Sequence, residues 1–253
     1  MFPLSVDTAT GRETRMTLAV LLSLAGVWLI FQGAGFDAKV LAASVCNLGL
    51  VAGEITHRAA IGTAVPIGDG MACVVDAEKI NYLTPLTSMF LHGSWAHIVG
   101  NALFLWVFGP SIEARMRPLA YVGFYLLCGL IAAAAQVLAN PGSPVPMVGA
   151  SGAISGILGA FLVLYPKARV NMLVILFIFI RVVSLPAWLV LVYWFGIQLL
   201  TALPELAGAQ TSVPSEVAVM AHVGGFIAGV VLVKAFDVQT DVSSRHRFSR
   251  AAR

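Results

Sequence analysis

Apolar residues in this chain fall in long unbroken runs, separated by short clusters of charge, proline and glycine. The runs lack the strict alternation of a half-buried strand. They are also apolar on every helical face, which is the pattern of helices surrounded by lipid or buried in a bundle. Six runs approach the length of a bilayer crossing. They extend from about Met16 to Gly33, Trp95 to Ile112, Pro118 to Leu138, Ser151 to Tyr165, Pro186 to Leu203 and Val217 to Phe236. Their ends carry recognisable stops. Glu113, Arg115 and Arg117 close the second, the turn-forming run from Asn140 to Pro144 follows the third, and Pro166, Lys167 and Arg169 follow the fourth. Pro186 suits the start of the fifth. The pattern predicts an all-α, polytopic membrane protein: a six-helix membrane domain over 16–236, an N-terminal segment 1–15 and a polar tail 237–253.

Two apolar stretches remain, Val40 to Ile55 and Val170 to Val183. Counting either as a full crossing would move the basic loops that follow it to the other side of the membrane. Both are therefore read as interfacial or re-entrant segments.

Composition strengthens this picture. Hydrophobic residues make up 59% of the 253 and charged residues 11%, against about 25% charged in soluble domains. A soluble domain is excluded. Arg12 and Arg15 precede the first run, but no small-x-small cleavage site closely follows the stretch from Trp28 to Phe31, so it is expected to stay as a helix. Arg12, Arg15, Arg115, Arg117, Lys167, Arg169, Lys234 and the tail arginines Arg245, Arg247, Arg250 and Arg253 all fall on one side. That side is expected to be cytoplasmic, with both termini there, in a bacterial inner membrane. The long segment between the first two spans would lie outside. It holds Asp37, Glu54, Asp69, Asp76 and Glu78 against Lys39, Arg58 and Lys79. The net charge of +3 reflects this asymmetry, and no basic patch interleaved with aromatics suggests nucleic acid.

The candidate chemistry is a serine and a histidine placed where water is scarce. Ser151 lies in Gly149-Ala150-Ser151-Gly152 and His222 in Ala221-His222-Val223-Gly224-Gly225. Both sit near the outer ends of their spans, so they share a depth. A serine at a helix start is often only a cap. Here the flanking glycines allow the backbone to turn sharply and a substrate to approach closely. A histidine inside a span is costly and usually lines a cavity or carries function. A neutral imidazole within reach of the hydroxyl would serve as its general base. No acidic residue is placed to orient the histidine, so the pair reads as a dyad. Gly152 and Gly156 on the fourth span and Gly225 and Gly229 on the sixth would form the small-residue seam that brings the two together.

His97 and Asn101 are four apart and share one helical face. They suit hydrogen-bond donation to a developing oxyanion. His92, His97 and His222 could alternatively ligate a metal, but there is no His-Glu-x-x-His pattern and no nearby acid. Neither a metal nor a cofactor is expected. Cys46 and Cys73 both fall in the outer segment, where an oxidising compartment permits a disulfide; Cys128 lies in the third span.

The motifs His97-x-x-x-Asn101, Gly149-x-Ser151-Gly152 and His222-x-x-Gly225-x-x-x-Gly229 occur in that order on the second, fourth and sixth spans. In this the chain resembles the rhomboid intramembrane serine proteases, over roughly Met16 to Phe236. The resemblance implies a six-helix rhomboid-like bundle with Ser151 as nucleophile and His222 as general base. It implies an oxyanion site from His97, Asn101 and the backbone around Gly149 and Ser151, and an acidic brace, Glu113, for the segment between the first two spans. The implied partners are the lipid bilayer and transmembrane protein substrates that unwind easily at the cut. Two departures stand out. The tryptophan-arginine pair many members carry in the outer segment is absent near Leu83-Thr84, and Ser155 replaces the tyrosine that in some members packs on the histidine. A competing reading is a non-proteolytic rhomboid-like binder, but such proteins usually lack the serine or the histidine. A transporter would call for internal repeats and charged spans, neither of which is seen.

Overall fold

The computed structural model describes residues 2–8, 14–68, 70–76, 80–176, 179–206 and 218–237. Arg12, Asp69, Glu78, Lys79, Val217 and the polar tail beyond Asp237 lie outside the described residues.

The chain opens with strand β1 (Phe2–Val6) and helix α1 (Arg15–Gly26), which continues through a π-helical turn to Phe31. The outer segment then builds α2 (Ala38–Leu48), β2 (Leu50–Val51), α3 (Ala52–Ile55), the hairpin β3 (Ala64–Gly68) and β4 (Met71–Val74), and the short α4 (Thr84–Thr87). Asp37 caps α2 by accepting the N–H groups of Lys39 and Val40. Helix α5 (Trp95–Glu113) starts at a second cap, where Ser94 Oγ accepts from the His97 N–H. Helix α6 (Pro118–Ala139) has proline in its first turn, where no intrahelical N–H is lost. Strand β5 (Pro146–Met147) pairs with β2, and α7 (Ser151–Leu164) follows. After the hairpin β6 (Arg169–Leu176) and β7 (Phe179–Pro186) come α8 (Ala187–Leu206) and α9 (Val219–Phe236).

All six expected runs are helical. By length and composition α5, α6 and α9 can each cross a membrane. The apolar helices Arg15–Phe31 and Ser151–Leu164, and the stretch Ala187–Thr201 of α8, are shorter. Fourteen residues of α7 rise about 21 Å, against a hydrocarbon core of about 30 Å.

The expectation of an all-α fold needs correction, because strands form in both leftover stretches. Val170 to Val183 lies in the antiparallel hairpin β6–β7, to whose open edge β1 adds as a third strand. Its sequence is rich in Val, Ile and Leu, which favour strands. Two eight-residue arms satisfy each other's backbone groups without a bilayer-length helix. The hairpin returns to where it left: the Ala187 N–H donates to the Ala168 carbonyl at 2.8 Å and the Trp188 N–H to Pro166 at 3.0 Å. It therefore does not cross. Val40 to Ile55 likewise becomes α2, β2 and α3, held to the β3–β4 hairpin by the Cys46–Cys73 disulfide. The sequence allowed this bond without supplying its geometry.

Helix α7 is the axis of the bundle. Every residue from Gly152 to Phe161 is buried, because glycine and alanine on several faces admit neighbours on all sides. Below the site the core turns aromatic. Phe108 and Phe161 meet edge to face, with Tyr121, Phe124 and Tyr125 beside them, all fully buried. Large apolar side chains such as Ile30, Trp106, Leu119, Val192 and Val231 point outward, as suits a lipid-facing surface. At the far end Arg115 forms an ion pair with Asp237, closing α9 onto the end of α5.

Candidate active site

Ser151 is the first residue of α7 and His222 lies in the first turn of α9. The two helices cross along a seam of glycines. A Cβ on Gly225 would overlap the carbonyl oxygen of Gly152, and one on Gly229 that of Gly156. These four glycines are the ones expected from the sequence. Gly159, packed against the Phe226 carbonyl, extends the same contact, and Gly224 packs α9 against Ala135 of α6. With no side chains between the backbones, His222 Nε2 comes within 2.7 Å of Ser151 Oγ.

The third helix N-terminus at the site belongs to α5. His97 sits so close to Gly149 that a Cβ there would lie 2.7 Å from His97 Nε2, and Gly149 has a φ of +131°. Both constraints require glycine. The Gly149 N–H is not free for an oxyanion, since it donates to the Ser88 carbonyl at 2.8 Å. Gly149 thus spaces His97 from Ser151, which corrects its expected part as a donor. The Ser151 N–H, at the first position of α7, has no intrahelical acceptor. Asn101 is buried and its Nδ2 lies 3.0 Å from His92 Nε2, to which it donates. One amide hydrogen remains for the cavity.

These groups line one cavity of about 820 Å³, with His97, Asn101, Ser151 and His222 on its walls. Leu41 and Val45 of α2 and Val65 and Met71 of the hairpin complete it from the outer segment. The first turns of α7 and α9 converge here, so the local backbone field favours negative charge. Among the described residues no group of three or more His, Cys, Asp or Glu side chains is placed to hold a metal ion.

Several site residues escaped the sequence reading. Gln32, fully buried at the end of the first helix, clamps His92: its Nε2 donates to the His92 carbonyl at 2.8 Å, and its Oε1 accepts the His92 N–H at 2.9 Å. Gln198 of α8 places Oε1 3.1 Å from His222 Nδ1. Gln136 of α6 accepts the Ala221 N–H at the start of α9. The shared signal is a lone amide in an apolar helix, which must find a partner.

Glu113 also needs correction. It stands at the end of α5 opposite the site, and its carboxylate accepts from the N–H groups of Met16 and Thr17 and from Thr17 Oγ. Helix α5 carries it away from the outer segment, so it braces the start of α1 instead.

The model of the rhomboid domain matches residues 80–236, more than half of the chain. The chain belongs to the rhomboid family. Over 77 residues it is 39% identical to the rhomboid protease GluP of Bacillus subtilis, a match covering 30% of this chain and 15% of that protein. Over 91 residues it is 31% identical to the mitochondrial rhomboid protein 1 of Saccharomyces cerevisiae, covering 34% of this chain and 26% of that protein. The matches thus span 15% and 26% of these relatives' lengths. Membership supports an integral membrane protein with an intramembrane protease-like role, and the rhomboid domain contains the whole set from His92 to His222.

Proposed function

We propose that this rhomboid is a serine endopeptidase that cuts transmembrane segments of other membrane proteins. The observation that carries this is the 2.7 Å contact between His222 Nε2 and Ser151 Oγ inside a cavity bounded by apolar helices. Ser151 donates its proton to His222 as its oxygen attacks the scissile carbonyl carbon. The resulting oxyanion is met by the Ser151 N–H, the Asn101 amide and the His97 ring. His222 returns the proton to the departing amine, and water then hydrolyses the acyl-enzyme by the same route. An intact pair at bonding distance favours this over a non-proteolytic binder.

In this reading all six helices span the bilayer, the shorter α7 within a ring of longer neighbours. Both termini are cytoplasmic and the cavity opens toward the outer face of a bacterial inner membrane. A substrate helix must expose its carbonyl carbon before attack, so glycine, proline or polar residues near the cut lower the cost. Purified protein in detergent or liposomes should cut a model transmembrane substrate, and Ser151→Ala should abolish the cut while keeping the unfolding midpoint. Undiminished cleavage by Ser151→Ala would refute the assignment. Asn101→Ala should lose roughly 10²–10³ in turnover rate, because other oxyanion donors remain.

A further inference from the structure

We propose that Gln198 is the positioning residue of the catalytic histidine, holding His222 in the tautomer and orientation that let it act as base. The proposal rests on the reading of Ser151 and His222 as the catalytic pair.

Among the described residues no carboxylate meets His222, whose ring nitrogens face Gln198 and Ser151, and Ser155 is turned elsewhere. Ser155 Oγ donates to the Ser151 carbonyl at 2.7 Å. What faces His222 Nδ1 is the amide oxygen of Gln198, at 3.1 Å. An amide oxygen only accepts, so the contact requires the proton on Nδ1. That leaves the Nε2 lone pair for the Ser151 hydroxyl, the arrangement a general base needs. The opposite tautomer would put a proton on Nε2 and idle the pair.

Gln198 stands out in its own helix. Thr201 is the other polar residue close by, and its hydroxyl is satisfied by the carbonyls of Ile197 and Gln198. A glutamine amide left unpaired against an apolar bundle keeps its full desolvation penalty, so its pairing with His222 serves both groups. Trp194, one turn earlier on the same face, tilts its ring over the imidazole at 6.0 Å between centroids. One face of α8 therefore supplies an acceptor and a flat wall.

The groups facing His222 from other elements are few. Ser151 comes from α7, His97 from α5 across the cavity, and the Gln136 amide from α6 binds the neighbouring Ala221 N–H. His97 is the titratable one among them.

The test compares Gln198→Leu and Gln198→Glu with the wild type in steady-state cleavage across pH. Loss of the acceptor in Gln198→Leu should lower kcat roughly 10- to 10²-fold with KM little changed, since the histidine is misplaced while the substrate cavity persists. Gln198→Glu keeps the acceptor and adds charge. It should retain activity near neutrality and move the acid limb of kcat/KM upward by about one pH unit, because a nearby anion favours the imidazolium. A Gln198→Glu profile superimposable on the wild type would overturn the proposal, as would an unchanged kcat in Gln198→Leu. If Gln198→Leu fails to fold, the Gln198→Glu profile decides alone. Ser151→Ala and His222→Ala run alongside. If either cleaves normally the catalytic pair itself is wrong, whereas loss in both with normal Gln198 variants discards only the role of Gln198.

Discussion

The carboxylate of Glu113 closes the start of α1, accepting the Met16 and Thr17 N–H groups at 2.8 Å each. These are orphan donors of a helix N-terminus, and a buried anion there also meets the positive end of the helix dipole. Hydrogen bonds to a charged group contribute about 1.5–3 kcal/mol. Glu113→Gln should therefore lower unfolding stability by about that much, since an amide nitrogen would face one of the donors. The cleavage rate per folded molecule should not change, because Glu113 lies at the far end of α5 from Ser151. Denaturant unfolding and cleavage measured on the same sample separate the two. An unchanged unfolding midpoint would show that the cap contributes nothing.

His92 gives the fold a pH dependence. Burial, and after it the neighbouring His97, push its pKa down to about 3 from the usual 6.5. The folded protein holds it neutral, as an acceptor for Asn101. Above pH 6.5 it is neutral in both states and its contribution is fully present. As pH falls from 6.5 toward 3 the unfolded chain takes up a proton that the folded protein refuses. Stability then drops by up to about 1.4 kcal/mol per pH unit. His92→Gln should flatten the stability–pH curve over this range relative to the wild type. Curves of equal slope would mean that His92 titrates alike in both states.

The helical runs were legible from the sequence because each is apolar on every face and bounded by Pro, Gly or Arg. The serine–histidine pair was legible too, since both side chains are chemically out of place in lipid. What was not legible depends on partners distant in sequence. Gln32, Gln136 and Gln198 could have been flagged as lone amides, but only the fold shows that Gln198 reaches His222. The resemblance ties Glu113 to the outer segment, yet Glu113 closes the second span beside Arg115 and Arg117, and there it meets the start of α1. Val170 to Val183 is read from the sequence only as an interfacial or re-entrant segment, because an unbroken apolar run has no periodicity that marks it as a strand. Its strand form depends on β1, more than 160 residues earlier, and on Ala187 returning to Ala168.

The outer segment is held by Cys46–Cys73, a bond between cysteines 27 positions apart in sequence. Closing a loop of that size removes unfolded-state entropy worth about 3 to 4 kcal/mol. Reduction should loosen the β3–β4 hairpin and with it the outer part of the cavity, where Val65 and Met71 sit. Arg58, exposed in the same loop, reports on this. Trypsin should cut there roughly tenfold faster or more after reduction, because local opening becomes cheaper. Equal cutting rates with and without reductant would show that the hairpin is held by other contacts.

The crossing of α7 and α9 sets the distance between Ser151 and His222, so it should be the least tolerant place in the fold. A Cβ on Gly225 meets the backbone oxygen and carbon of Gly152, which cannot rotate away as a side chain could. Even Gly225→Ala must push α9 outward one turn below His222, and Gly225→Val must push it further. A displacement of about 1 Å can cost about 10² in rate. Gly225→Ala should therefore lose roughly that much cleavage, with Gly225→Val inactive. Gly123→Ala on α6 is the matched control. A Cβ there meets nothing within 4 Å, and alanine is the better helix former by about 1 kcal/mol, so activity should persist with stability equal or higher. Fluorophosphonate labelling of Ser151 reads the geometry without a substrate: it should fail in the Gly225 variants and proceed in Gly123→Ala. Full labelling and cleavage in Gly225→Val would mean that the two helices do not meet along this face, and the 2.7 Å contact would lose its support.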